Sequence, residues 1–151
     1  MMGSHQGNDF TRYPMREAVP QILWIGNAKD ARDVRAVLAL GIAAIVDLAM
    51  EEPPIVFPRD IVSCRFPLID GAGNSPAVIK AAIDSIVHLV QGRVPTLVAC
   101  SGGMSRSPAI VALALSAVEQ ISPESALKGI ATAGPHDVSP TFWTEALAAS
   151  A

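Results

Sequence analysis

Apolar residues along the chain fall into short unbroken runs, separated by longer stretches in which they recur with helical spacing. Residues 22–25, 42–48 and 96–99 are runs of the first kind and read as strands, and residues 61–68, interrupted by Ser63, Arg65 and Pro67, read as a further strand. Residues 42–48 and 96–99 are apolar without alternation, as strands of a parallel sheet covered on both faces are. Residues 29–40 set Val34, Val37 and Leu38 on one side and Arg32, Asp33 and Arg35 on the others, which predicts one amphipathic helix ended by Gly41. Ser75-Pro76 opens a second helix, read to Gln91, that packs Ile79, Ile83, Ile86 and Val90. Residues 108–120 predict an apolar helix whose longest apolar run covers about half a membrane span and so reads as buried. Ser122-Pro123 opens a further helix ending near Gly134, and Pro140 a last short one. Glu51-Glu52-Pro53-Pro54 breaks regular structure, with a loop running to Arg59. Strand and helix thus alternate, which predicts an α/β fold: a mostly parallel central sheet of four to five strands, flanked by helices on both faces. Ligand sites in such sheets lie beyond the carboxyl ends of the strands.

Composition narrows this picture without redirecting it. The length of 151 residues suits one domain; residues 1–19 read as an N-terminal extension and residues 20–151 as a single domain. Gly3-Ser4-His5 looks like an expression remnant rather than part of the fold. Residues 1–9 are polar and lack the apolar centre of a signal peptide. A net charge of −3 gives neither a nucleic-acid partner nor an anionic membrane surface any electrostatic support. Cys64 and Cys100 form neither a disulfide framework nor a metal site, and no metal or cofactor is expected. A cysteine kept reduced points to the cytoplasm.

The chemistry gathers in Val98-Ala99-Cys100-Ser101-Gly102-Gly103-Met104-Ser105-Arg106-Ser107-Pro108. A buried strand delivers Cys100 into a loop of small residues that opens a helix. The backbone amides of such a loop converge, and the helix N-terminus adds partial positive charge, so the loop suits a phosphate. The same field favours a thiolate at Cys100. Arg106 follows where the loop has curled round, and its planar fork matches two phosphate oxygens. Gly102 and Gly103 let the backbone approach an anion without a Cβ between.

Cys100-x-x-Gly103-x-x-Arg106-Ser107 resembles the signature loop of cysteine-dependent protein tyrosine phosphatases, and among them the compact dual-specificity type. Leu23-Trp24-Ile25-Gly26-Asn27 and Ile45-Val46-Asp47-Leu48 resemble that group's first strands, and Phe66-Pro67-Leu68-Ile69-Asp70 the strand leading to its acid. The resemblance runs over roughly residues 20–147 in the family's order. It implies Cys100 as nucleophile, with Ser101, Gly102, Gly103, Met104, Ser105 and Arg106 binding the phosphate. It implies Asp70 as general acid, and Ser107 as the hydroxyl that donates to the cysteine sulfur and eases its departure. The other use of Asp70 is a turn aspartate bonding its own backbone at Asp-Gly, and the other use of Ser107 is as helix N-cap. One departure is plain: the family has His before its cysteine, and this chain has Ala99.

The remaining candidates read more simply. Lys80, Asp84 and His88 form a charged helix stripe. His136, within Gly134-Pro135-His136-Asp137, belongs to an ordinary turn or lines the rim of the site. Cys64 reads as core, with a disulfide to Cys100 under oxidation as the alternative. Trp24 and Trp143 read as packing aromatics. The loop side chains Ser101, Met104 and Ser105 are uncharged, which favours a singly phosphorylated group over polyphosphorylated inositols or lipids. The expectation is a protein phosphatase hydrolysing phosphotyrosine, phosphoserine/threonine or both through a phosphocysteine, acting on a phosphorylated protein or a small phosphomonoester. The alternative is a phosphate-binding interaction module with the same fold and little turnover, for which Ala99 speaks. A rhodanese- or arsenate-reductase-type enzyme comes third, because sulfur transfer has no evident use for Asp70.

Overall fold

The computed structural model describes residues 15–151. The polar segment through Asp9, with Gly3-Ser4-His5 in it, lies outside the described residues. Strands β1 (Arg16–Val19), β2 (Leu23–Gly26), β3 (Ala44–Ala49), β4 (Val62–Leu68) and β5 (Thr96–Ala99) form one sheet in the order β1-β2-β5-β3-β4. The pairs β2–β5, β5–β3 and β3–β4 are parallel, and only β1 runs antiparallel, against β2. The central strand β5 ends one residue before Cys100.

Side chains of the inner strands leave the sheet alternately, and both faces are apolar. Leu23, Ile25, Val46, Leu48 and Val98 enter one core, while Trp24, Ile45, Leu97 and Ala99 enter the other. The first core packs under α3 (Pro76–Gln91), α4 (Arg106–Glu119), α5 (Pro123–Ala131) and α6 (Pro140–Ser150). The second lies under α1 (Ala28–Arg32) and α2 (Val34–Ala39). The predicted architecture is the observed one. Serine caps with proline at the first turn open α3, α5 and α6 at Ser75, Ser122 and Ser139. Helix α4 is buried without a break from Arg106 to Leu115, and no described helix is long and apolar enough to cross a membrane.

Three expectations change. The sheet takes in Arg16–Val19, ahead of the expected domain start at residue 20. Arg-Glu-Ala-Val carries too little apolar alternation to announce a strand, and its pairing with β2 is supplied by the sheet edge. The single helix expected over residues 29–40 is two. Asp33 leaves helical geometry, donates its amide to Asp30 O, and accepts from Ala36 N, so it ends α1 and caps α2. The break turns Leu38 outward, 48% exposed, while Val37 stays in the core. Finally, α4 begins at Arg106 rather than Pro108, which places both Arg106 and Ser107 in its first turn.

Candidate active site

Outward carbonyls shape the loop after β5. Ser101 O accepts from Ala28 N at 3.0 Å, and Met104 O from Asp137 N at 2.7 Å. Gly103 O accepts from Nη2 of the buried Arg16 at 2.8 Å, and the same nitrogen reaches Pro135 O. With these carbonyls engaged from outside, the amides of residues 101–105 have no acceptor among the described residues. They form a cradle for an anion at the start of α4. Gly103 is needed there: its φ is +73°, and a Cβ would stand 3.0 Å from the backbone of Gly26. At Gly102 a Cβ would meet no protein atom, so close backbone approach there matters only toward a bound anion.

Arg106 is 3% exposed. Its Nη1 and Nη2 donate to Oε1 and Oε2 of Glu51 at 2.7 and 2.6 Å, and Nη1 also donates to Leu68 O at 2.7 Å. Nε is buried and has no partner among the described residues. The guanidinium is therefore held through Nη1 and Nη2, and a ligand reaching Nε and Nη2 together would take two parallel bonds. Burial works against the charge of Arg106, but the bond to Glu51 and the charges of Cys100 and Asp70 outweigh it and raise its pKa. In return, Arg106 lowers the pKa of Glu51 to about 2. Glu51 and Glu52 also share the Ser101 hydroxyl, at 2.6 and 3.0 Å. Behind them, Arg65 donates to the carbonyls of Met50 and Glu52, and Arg32 to that of Pro53, so the segment is anchored through its backbone.

Asp70 follows β4 and faces the loop. Its Oδ1 accepts from Ser105 Oγ at 2.6 Å, and Ser105 Oγ accepts from Ser139 N at 2.9 Å. The turn around Asp70 is closed by another residue. Asn74 bonds Ile69 N, Ile69 O and Gly71 O. From α6, Glu145 takes the amides of Gly73 and Asn74 at 2.9 and 2.8 Å, which lower its own pKa. Gly71 and Gly73 adopt φ of +158° and +99° to allow this. The turn-aspartate use fits Asn74; Asp70 points to the cysteine loop.

Cys100, Ser101, Gly102, Met104, Ser105, Arg106 and Asp70 thus line one cleft of about 340 Å³, joined by Glu51 and Asp137. Gly103 packs against Gly26 instead. Ser107 is fully buried beneath the loop, its Oγ without a partner. The N-cap position is Ser105, which makes no capping bond. At the rim it is Asp137 that lines the cleft, and His136 Nδ1 is buried without a partner. Cys64 and Cys100 are free thiols, and Cys64 packs against the core to which Cys100 belongs. Trp24 and Trp143 pack as expected, and Lys80 pairs with Asp84 at 2.7 Å.

Glu51, Glu145 and Arg16 escaped the sequence reading. For Glu51 a signal existed: two carboxylates directly follow a buried parallel strand, at the sheet end where a site is expected. For Glu145 and Arg16, far along the chain from the loops they hold, none did.

Ala99 closes β5 in the α1–α2 core, 1% exposed, level with Gly26 on one side and Asp47 on the other. Asp47 Oδ2 makes no hydrogen bond and lies 3.8 Å from Arg65 Nε, and burial raises the pKa of this carboxyl.

No protein-family model matches the chain, and neither does any curated protein. Solved structures do. Human DUSP28 superposes with a TM-score of 0.78 at 22% identity, over 91% of this chain and 93% of its own. The human tyrosine phosphatase-like serine/threonine/tyrosine-interacting protein gives 0.77 at 18%, over 91% and 95%. OH1 from the Orf virus, a tyrosine phosphatase with triple substrate specificity, gives 0.72 at 20%, over 90% and 86%. At these identities the likeness is one of fold, and the fold is that of the compact dual-specificity phosphatases.

Proposed function

We propose that the chain is a cysteine-dependent protein phosphatase of the dual-specificity type, cleaving phosphomonoesters on protein side chains or small molecules in the cytoplasm. The observation that carries this reading is the convergence on Cys100 of three things. These are a loop whose amides have no other acceptor among the described residues, a guanidinium whose Nε is left unbonded, and a carboxyl held against the loop by Ser105. A module that merely binds phosphate has no use for the third.

In the first step the Cys100 thiolate attacks phosphorus, forming the S–P bond as the ester P–O bond breaks. The leaving oxygen takes the proton of Asp70. Charge on the transferring phosphoryl group is met by the loop amides and by Nε and Nη2 of Arg106, with no metal called for. In the second step water attacks the phosphocysteine and gives its proton to the Asp70 carboxylate. The S–P bond breaks, inorganic phosphate forms and the thiolate returns. The buried Ser107 hydroxyl, lacking any other partner, is the donor that stabilises the departing sulfur. The test is hydrolysis of a small aryl phosphate by the wild type and by Cys100→Ser, with phosphate binding measured alongside. The variant keeps binding and loses turnover.

A further inference from the structure

Resting on that reading, we propose that the preferred substrate is a phosphoresidue flanked by lysine or arginine, and that esters with further anionic groups close by are disfavoured. Among the described residues the one cation lining the cleft is Arg106, against the carboxyl groups of Glu51, Asp70 and Asp137. Its charge is already shared: Glu51 holds the Nη1–Nη2 edge with two short bonds. The buried, unpartnered Nε marks where the incoming phosphate docks, on the adjoining edge of the same guanidinium. A dianion placed there meets one positive side chain that it does not have to itself.

Three further cations that reach the loop and the Glu51–Glu52 segment are engaged away from the cleft. Arg16 lies under the loop on Gly103 O and Pro135 O, and Arg32 and Arg65 grip carbonyls behind Glu51 and Glu52. The loop amides and Arg106 meet the charge of the phosphate, while Glu52 and Asp137 form no ion pair among the described residues. Glu51 is 54% exposed at the mouth, and Glu52 sits beside it on the Ser101 hydroxyl. Asp137 is fixed across the loop by its own amide on Met104 O. A cationic side chain next to the phosphoresidue therefore lowers the energy of the complex, and a second anion raises it.

The experiment compares phosphotyrosyl peptides identical except for flanking Lys/Arg, Ala or Asp/Glu, with a small aryl phosphate as the reference that has no flanking residue. Expected is a kcat/KM order of cationic over neutral over anionic, spanning about tenfold at low salt and narrowing as salt rises. The double variant Glu52→Gln/Asp137→Asn compresses that span. The same order appears in the peptide affinities of Cys100→Ser. Hydrolysis of the aryl phosphate with a flat or reversed peptide order overturns this inference and leaves the phosphatase reading standing. Absence of turnover on every substrate overturns the phosphatase reading, and a flat order of Cys100→Ser affinities then overturns the charge preference as well.

Discussion

Ser105 donates its hydroxyl proton to Asp70 across 2.6 Å, although it occupies the N-cap position of α4 and would ordinarily cap that helix. The bond ties the turn carrying the proposed acid to the loop carrying the proposed nucleophile. Asp70→Asn is expected to lower kcat by about 10²- to 10⁴-fold on alkyl or phenyl phosphates, whose leaving groups need a proton. On esters that leave as weak bases the loss is much smaller. Ser105→Ala, which releases Asp70 without removing it, follows the same leaving-group dependence at smaller amplitude. A plot of kcat against leaving-group pKa for the three proteins is the check, and parallel lines would give Asp70 a purely structural role.

Glu145 holds that turn from α6, and Glu145→Ala frees the amides of Gly73 and Asn74. The carboxylate is exposed, so melting temperature changes little. Its loss acts on where Asp70 stands, costing on the order of tenfold in kcat for poor leaving groups, with KM nearly unchanged. Steady-state kinetics on a poor and a good leaving group separate this from a general loss of structure, which would lower both alike.

Folding takes the pKa of Glu51 from the ordinary 4.5 to about 2. A depressed carboxylate adds stability that is fully present above the unfolded value and is lost as pH falls through the folded one. Because Glu51 is half-exposed, its bond to the buried Arg106 is screened by solvent and worth under about 1 kcal/mol. The urea midpoints of wild type and Glu51→Gln should therefore differ by a constant small amount from about pH 5 to 8, and converge between about pH 4.5 and 2. A gap that widens on acidification would contradict the pairing.

The strands were legible because the inner ones are apolar on both faces, as at Ile45-Val46 and Leu97-Val98. The cysteine loop was legible because its chemistry is contiguous from Cys100 to Ser107. What did not show is what long-range contact decides. Arg16–Val19 is a strand only because β2 offers an edge. Asp33 breaks a helix that periodicity alone would continue, since its side chain competes for the backbone. Glu51 and Glu145 look like surface glutamates until the fold brings Arg106 and the Asn74 turn to them.

At position 99 the structure says what a histidine would meet. Beside Ala99 stands Asp47, buried and with one oxygen making no hydrogen bond. In Ala99→His the ring gains this partner and, charged, favours the thiolate one residue on. The iodoacetamide alkylation profile of Cys100 should move to lower pH in Ala99→His, and return toward wild type in Ala99→His/Asp47→Asn, with folding of each verified by circular dichroism. An unmoved profile in the folded single variant would mean that another group already does the histidine's work.

The central claim is that phosphate passes through Cys100, and mass analysis of acid-quenched enzyme tests it most directly. Mixed rapidly with a phosphotyrosyl peptide and quenched during turnover, the wild type should carry one phosphoryl group on the peptide containing Cys100. Cys100→Ser should carry none, although it still binds the substrate. A phosphoryl group on any other residue, or continued turnover by Cys100→Ser, would contradict the account.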